Sequence, residues 1–315
     1  MGKTWGKVLL LLSGMLLAAG AQAQYGGAPT AARPNINPFA PSVRGSNLVP
    51  YLQAERDAIA VLTAQQHYLL QRGDTVGALL VGSYVPDHQL QASLLAQEIR
   101  DRGGNPDAVQ ANVPNPFLGS TAEILAYNSQ QQAWIADQYR RLTGAGTADS
   151  RYLAQTGLSG AERHFASLQV ALGARDGSPA AVLNSLRYAL QLERTAMADL
   201  QAQAAQLRRL NDPQTADRLV SLIPAHQQQE AQLISLIQQL GGNPATVGAS
   251  TVAALPTRDA ILMHRRAMDV QMANTYATHV AAFPSTSPLH VAGLQGQRNA
   301  LTAIAVLFGG PLPTA

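Results

Sequence analysis

Apolar residues recur along most of the chain in alternating steps of four and three, the period of one buried helical face. Leu48, Leu52, Glu55, Ile59, Leu62, Gln66 and Leu69 form one stripe, and Leu186, Leu190, Glu193, Met197, Leu200, Ala204 and Leu207 form a second. A third runs Val81, Val85, His88, Ala92, Leu95, Ile99 and Arg102, with a later counterpart Leu219, Ile223, His226, Glu230, Leu233, Ile237 and Leu240. Eight helices follow, over roughly 50–72, 74–102, 120–142 and 149–173, then 179–210, 213–240, 258–282 and 288–308.

Their ends are marked. Ser178-Pro179, Asp212-Pro213 and Ser287-Pro288 each place a capping side chain before a proline at the first helical position. Ser120 with Glu123 reads as a capping box, and Gly103-Gly104 and Gly241-Gly242, each followed by Asn-Pro, read as stops. Pro86 and Pro224 fall inside the second helix of each set and predict a kink there.

The two sets are copies. Residues 86–106 align without gaps to 224–244, with ten of twenty-one positions identical at an offset of 138. The same offset places Glu55 on Glu193 and Leu52 on Leu190. Further on, Gly157-Leu158-Ser159-Gly160 pairs with Gly293-Leu294-Gln295-Gly296 at an offset of 136, which puts Ala300 at the position of His164. In both copies a connection of about sixteen residues separates helices two and three, enough to climb back along a bundle at roughly 3.3 Å per residue. The expected fold is all-α: two tandem four-helix bundles, over residues 48–176 and 177–310, with short, long and short connections.

Both copies bury a carboxylate and a histidine at matching levels. Glu55 lies eighteen residues before the turn at Gly73 and His88 fifteen after it, and Glu193 and His226 stand likewise about Asn211. At 1.5 Å per residue the mismatch is about 4–5 Å, so each copy is expected to hold a buried Glu–His pair across helices one and two.

On the short–long–short connections, the helix-two histidine and the following Leu240-Gly241-Gly242-Asn243-Pro244, the chain resembles the ferritin-like superfamily, in particular its exported bacterial branch. Di-iron members take one Glu from each of two helices and a Glu-x-x-His from each of the others. The resemblance implies metal ligands at Glu55, His88 and His164 in the first copy and at Glu193, His226 and Glu230 in the second, with His264 a turn away. Iron or another divalent metal would be the cofactor. The departures argue against a standard di-iron centre: Val85, Ala161 and Ile223 stand three residues before His88, His164 and His226. Helix three offers only Gln131, Asp137 and Asp269 in place of a mid-helix Glu. Glu55, His88 and His164 alone would suit a mononuclear site. Otherwise each Glu and His satisfy one another in the core.

Composition narrows the function. Residues 1–23 carry two lysines, an apolar run and Ala21-Gln22-Ala23, which reads as a signal peptide cut after Ala23 and sends the chain to the periplasm or outside the cell. That run is too short for a membrane span. Residues 24–47, rich in Pro, Gly, Ala and Asn, read as a disordered linker. Removing Lys3 and Lys7 takes the formal charge from +3 to +1 (3 − 2), which gives little attraction for nucleic acid. With no cysteine anywhere and no lysine beyond Lys7, thiol catalysis, disulfides, Schiff-base chemistry and a P-loop are excluded.

Trp134 reads as core. Arg208-Arg209 and Arg265-Arg266 read as solvated faces or helix-end partners, Ser159 lacks the setting of a nucleophile, and the matched glycines read as sites of close helix packing. The Ala/Gln-rich faces suit a homo-oligomer. The expected role is non-catalytic: binding, protection or structure in the cell envelope or beyond it. The alternative is a metal-binding protein, an iron oxidase among the options, using the reduced site of the first copy.

Overall fold

A computed structural model describes residues 47–113, 116–145 and 148–309. The segment expected as a signal peptide and all but Asn47 of the expected linker lie outside the described residues. The described chain is all-helical, without a strand. In chain order the helices are α1 (Val49–Gln71), α2 (Thr75–Gly82), α3 (Val85–Asp101), α4 (Thr121–Ala145), α5 (Ala148–Asp176), α6 (Pro179–Arg209), α7 (Pro213–Val220), α8 (Ile223–Gln239), α9 (Arg258–Ala282) and α10 (Pro288–Phe308). None of them is long and apolar enough to cross a membrane.

The expected second helix of each copy is broken rather than kinked. Helix α2 stops at Gly82 and α3 restarts at Val85; α7 stops at Val220 and α8 restarts at Ile223. Pro86 and Pro224 sit in the first turn of the restarted helix, where a missing N–H and the ring's clash with the preceding turn do least harm.

The caps form as their side chains dictate. Asp74, Ser178, Asp212 and Thr257 accept backbone N–H groups at the starts of α2, α6, α7 and α9. Glu123 Oε2 accepts from Ser120 N at 2.8 Å, and Ser120 Oγ from Glu123 N at 3.3 Å. Gly73, Gly103 and Gly241 end helices at φ of 78°, 77° and 75°, and Asn211 does the same at 59°.

Within the first half α1 packs on α2 and α3, α3 on α5, α5 on α4, and α4 back on α1. The second half repeats the cycle, with α6 on α7 and α8, α8 on α10, α10 on α9, and α9 on α6. The halves also meet broadly, α5 against α6 and α9, and α9 against α2 and α3. All the described helices belong to one compact unit.

Each long connection is tied to the first helix of its half by buried polar groups beside the apolar stripe. Asp57 Oδ1 accepts from Asn112 N at 2.7 Å, and Gln65 Nε2 donates to the Phe117 carbonyl at 3.0 Å. In the second half Thr195 Oγ1 accepts from Ser250 N at 2.9 Å, and Gln203 holds Ala253 O and Leu255 N at 2.9 and 3.0 Å. Helices α1 and α6 are therefore buried on two sides. Ile59, Gln66 and Met197, on the expected stripe, are only half-buried, while Asp57, Val61, Gln65 and Asp199 are buried beside it.

Candidate functional site

The expected pairs form. His88 Nδ1 donates to Glu55 Oε2 at 2.6 Å, and His226 Nδ1 to Glu193 Oε2 at 2.6 Å, all four side chains being buried. Each carboxylate has a second donor, from α4 or α9: Tyr139 Oη donates to Glu55 Oε1 at 2.5 Å, and Tyr276 Oη donates to Glu193 Oε1. In the first half Gln132 Nε2 lies 3.1 Å from His88 Nε2. Burial, reinforced by the neighbouring carboxylate, holds both phenols well above the ordinary tyrosine range, so both remain donors at any physiological pH.

Glycines make room for the rings. A Cβ on Gly157 would overlap the Tyr139 ring, and one on Gly296 would meet Tyr276 Cδ2 at 2.6 Å, whereas Gly160 has nothing within 4 Å. Gly157 and Gly296 are thus the structural equivalents. The fourth helices align at an offset of 139, and the pairing of Gly157 with Gly293 at 136 is corrected by three residues. Gln91 and Gln229 confirm the register by donating to Leu153 O at 2.8 Å and Ala292 O at 3.0 Å. Ala303, not Ala300, then stands opposite His164.

A second polar cluster lies where the halves meet. Asp87 Oδ2 accepts from Arg163 Nη2 at 2.5 Å and His164 Nε2 at 3.1 Å, and its Oδ1 lies 3.8 Å from His264 Nδ1. On the other side Asp199 accepts from His264 Nε2 at 3.1 Å, Arg265 Nη1 at 2.9 Å and Gln203 Nε2 at 2.9 Å, and Arg265 Nη2 reaches Asp269 Oδ1 at 2.6 Å. Burial opposes ionisation of Asp87 and Asp199. Arg163 at the first and His264 with Arg265 at the second more than offset it, leaving both well below the usual carboxylate range. His164 goes the other way: burial pushes it down to about 4 despite Asp87.

Nearby, Tyr84 Oη and Ser167 Oγ lie 2.9 Å apart, Ser167 Oγ and Thr275 Oγ1 2.5 Å apart, and Thr275 donates to Gln271 O at 2.8 Å. This relay also crosses the seam. Arg265, expected on a solvated face, is fully buried, because it lies on the inward stripe of α9 four residues before its partner Asp269. Trp134 is partly buried against the first-half core, and Arg208 lies at the surface with Asp217.

Of the other sequence candidates, His164 lines one cavity with Glu55 and His88, while Glu230 and Asp137 lie apart. The ring centroids of His164 and His88 are 4.9 Å apart, but His164 Nε2 serves Asp87 and its Nδ1 has no hydrogen-bond partner. Glu230 turns outward to Arg194 Nε at 2.7 Å, away from the Glu193–His226 pair, and Leu240 is exposed. His264 serves Asp199 at 3.1 Å and lies 3.8 Å from Asp87. Of the helix-three candidates, Asp137 pairs at the surface with Arg141, while Asp269 is buried. The residue at His88 is Gln132 rather than Gln131.

A cavity of about 30 Å³, room for one or two waters, lies among Glu55, His88, Asp87, Arg163, His164 and His264. Among the described residues no three His, Asp or Glu side chains are grouped to hold a metal ion. The donor set does not fit the ferritin-like metal centre: the carboxylates of the two pairs are satisfied by His and Tyr, and an arginine lies on the nearest remaining one. Comparison with known proteins finds no matching family model, curated protein or solved structure.

Proposed function

We propose that the chain is an exported protein of two tandem ferritin-like four-helix bundles with a non-catalytic role, binding, protective or structural, in the cell envelope or outside the cell. The cycle of helix contacts shared by the two halves supports the bundle reading, and the N-terminal pattern supports export. The observation that carries the non-catalytic reading is the repeated Tyr–Glu–His arrangement. In each half both carboxylate oxygens accept from protein donors, which leaves the buried Glu as part of the core rather than as a ligand.

The test is made on protein purified from the exported fraction of its native cell, by intact mass and by metal analysis after exposure to Fe(II), Mn(II) and Zn(II). The expected product begins at Gln24 and carries far less than one metal per chain. Stoichiometric metal that is lost in Glu55→Ala and in His164→Ala would overturn the non-catalytic reading in favour of a metal site. An unprocessed Met1 would overturn export.

A further inference from the structure

His264 belongs to the second half, yet its ring is buried between carboxylates of both halves. Nε2 lies 3.1 Å from Asp199 on α6 and Nδ1 3.8 Å from Asp87 on α3. Nε2 is in hydrogen-bond distance of Asp199 and Nδ1 in ion-pair range of Asp87, and a ring set between two carboxylates favours the imidazolium. The positions involved have no counterpart in the other copy. Ala225 stands where Asp87 would recur and Val61 where Asp199 would; Tyr127 stands opposite His264 and Thr302 opposite Arg163. The cluster is therefore particular to the junction and is not a repeated core motif.

It is also connected to a wall of the cavity. Gln203 joins Asp199 Oδ1 to Ala253 O and Leu255 N, and Ala253, Leu255 and His264 together line the cavity on the second-half side, facing Glu55 and His88. Thr251 N is tied to Glu162 Oε2 of α5 at 3.0 Å, which anchors the start of that segment to the first half.

We propose that His264 is a proton-operated latch: as the imidazolium it clamps Asp87 to Asp199 and holds the 251–255 segment over the cavity, and on losing its proton it frees that wall. The charged groups facing the ring are Asp199 from α6, Asp87 and Arg163 from α3 and α5, and Asp269 and Arg265 on its own helix; His164 of α5 shares Asp87. Burial and Arg163 disfavour the proton, but Asp199 and Asp87 outweigh them and raise His264 above its ordinary value. The latch is therefore fully set below the unfolded-state value near 6.5 and is lost as pH rises through the raised one.

The test uses the full mature chain. Titration of the histidine Cε1–H signals by NMR, with His264 assigned through His264→Gln, should show His264 still protonated where a free imidazole is half-titrated. Hydrogen exchange, corrected for intrinsic rates, should show protection of residues 251–255 falling about tenfold per unit of raised pKa as the proton is lost. His264→Gln should abolish that step, leaving the segment less protected than in the wild type at low pH and equally protected once the wild-type proton is lost. A His264 that titrates below 6.5 overturns the latch, whether or not the variant folds. So does a segment whose corrected protection is independent of pH in the wild type, or a step that persists in His264→Gln.

Discussion

Replacing Tyr139 by Phe isolates the contribution of the phenol to the buried pair. The ring, its contact with Gly157 and the side-chain volume survive; the O–H that donates to Glu55 Oε1 does not. Glu55 is only 2% exposed, so water does not take its place, and one carboxylate oxygen is left without a donor. A hydrogen bond to a charged acceptor contributes about 1.5–3 kcal/mol, and stranding a buried polar atom costs at least about 1 kcal/mol. The expected loss is about 2 kcal/mol, or a fall in Tm of roughly 4–8 °C on the scale of a domain of this size. Urea unfolding followed by far-UV circular dichroism measures it.

Tyr276→Phe should lose the same amount, because Glu193 is held in the same way, and the two losses should add to within about 0.5 kcal/mol. Tyr51→Phe is the control: its hydroxyl reaches the Gln138 carbonyl only at 3.5 Å and is half-buried, so the change should stay within about 0.5 kcal/mol. If Tyr139→Phe falls within the range of that control, the phenol is not a needed partner of Glu55. If Tyr276→Phe alone is costly, the equivalence of the two halves is wrong.

Two further outcomes follow from the same contacts. Gly157→Ala and Gly296→Ala should each destabilise by about 1–3 kcal/mol as the new methyl meets a tyrosine ring, while Gly160→Ala, in open space, should be neutral or stabilise by up to about 1 kcal/mol; thermal melts of the three variants decide. Acid should also destabilise. His164 and His279 are pushed by burial from an ordinary 6.5 to about 4, so their neutral forms belong to the folded state. The stability tied to them is complete above pH 6.5 and is lost as pH falls towards 4, at about 3 kcal/mol each. Urea midpoints at neutral and mildly acid pH should show it, and His279→Gln should remove its share; an unchanged slope would refute the assignment.

What could be read from the sequence follows from what helical periodicity reports. Glu55 and His88 share a level because both distances to Gly73 are counted in residues of regular helix, and that arithmetic survives folding. Caps and glycine stops are equally local. Tyr139 and Tyr276 were also within reach, since Gln132, Ile135 and Tyr139 continue a four-three stripe on α4, as Asp269, Met272 and Tyr276 do on α9. A phenol on α4 or α9 serves the glutamate of α1 or α6, a role that a metal-ligand pattern does not contain. Both copies carry Gly-x-x-Gly in α5 and α10, so sequence alone leaves a three-residue ambiguity that the tyrosine ring and the glutamine contacts resolve. The junction of the halves was not legible. A stripe shows that a face is buried, not what covers it, so Arg265 beside Arg266 resembled a solvated pair.

The junction has one more implication. Two identical bundles related by a two-fold axis would have to present every interface residue twice, in self-complementary sets. Joining the copies in one chain removes that constraint, and here one copy supplies Asp87, Arg163 and His164 while the other supplies Asp199, His264 and Arg265. A substitution at this seam alters a single contact rather than a mirrored pair, so each side has been free to specialise. Asp87 is paired by Arg163 within the first half and Asp199 by Arg265 within the second, so at this seam His264 is the ring that faces carboxylates of both. With both sides on one chain, the side carrying Asp87 always meets the side carrying His264, and the junction has a fixed direction.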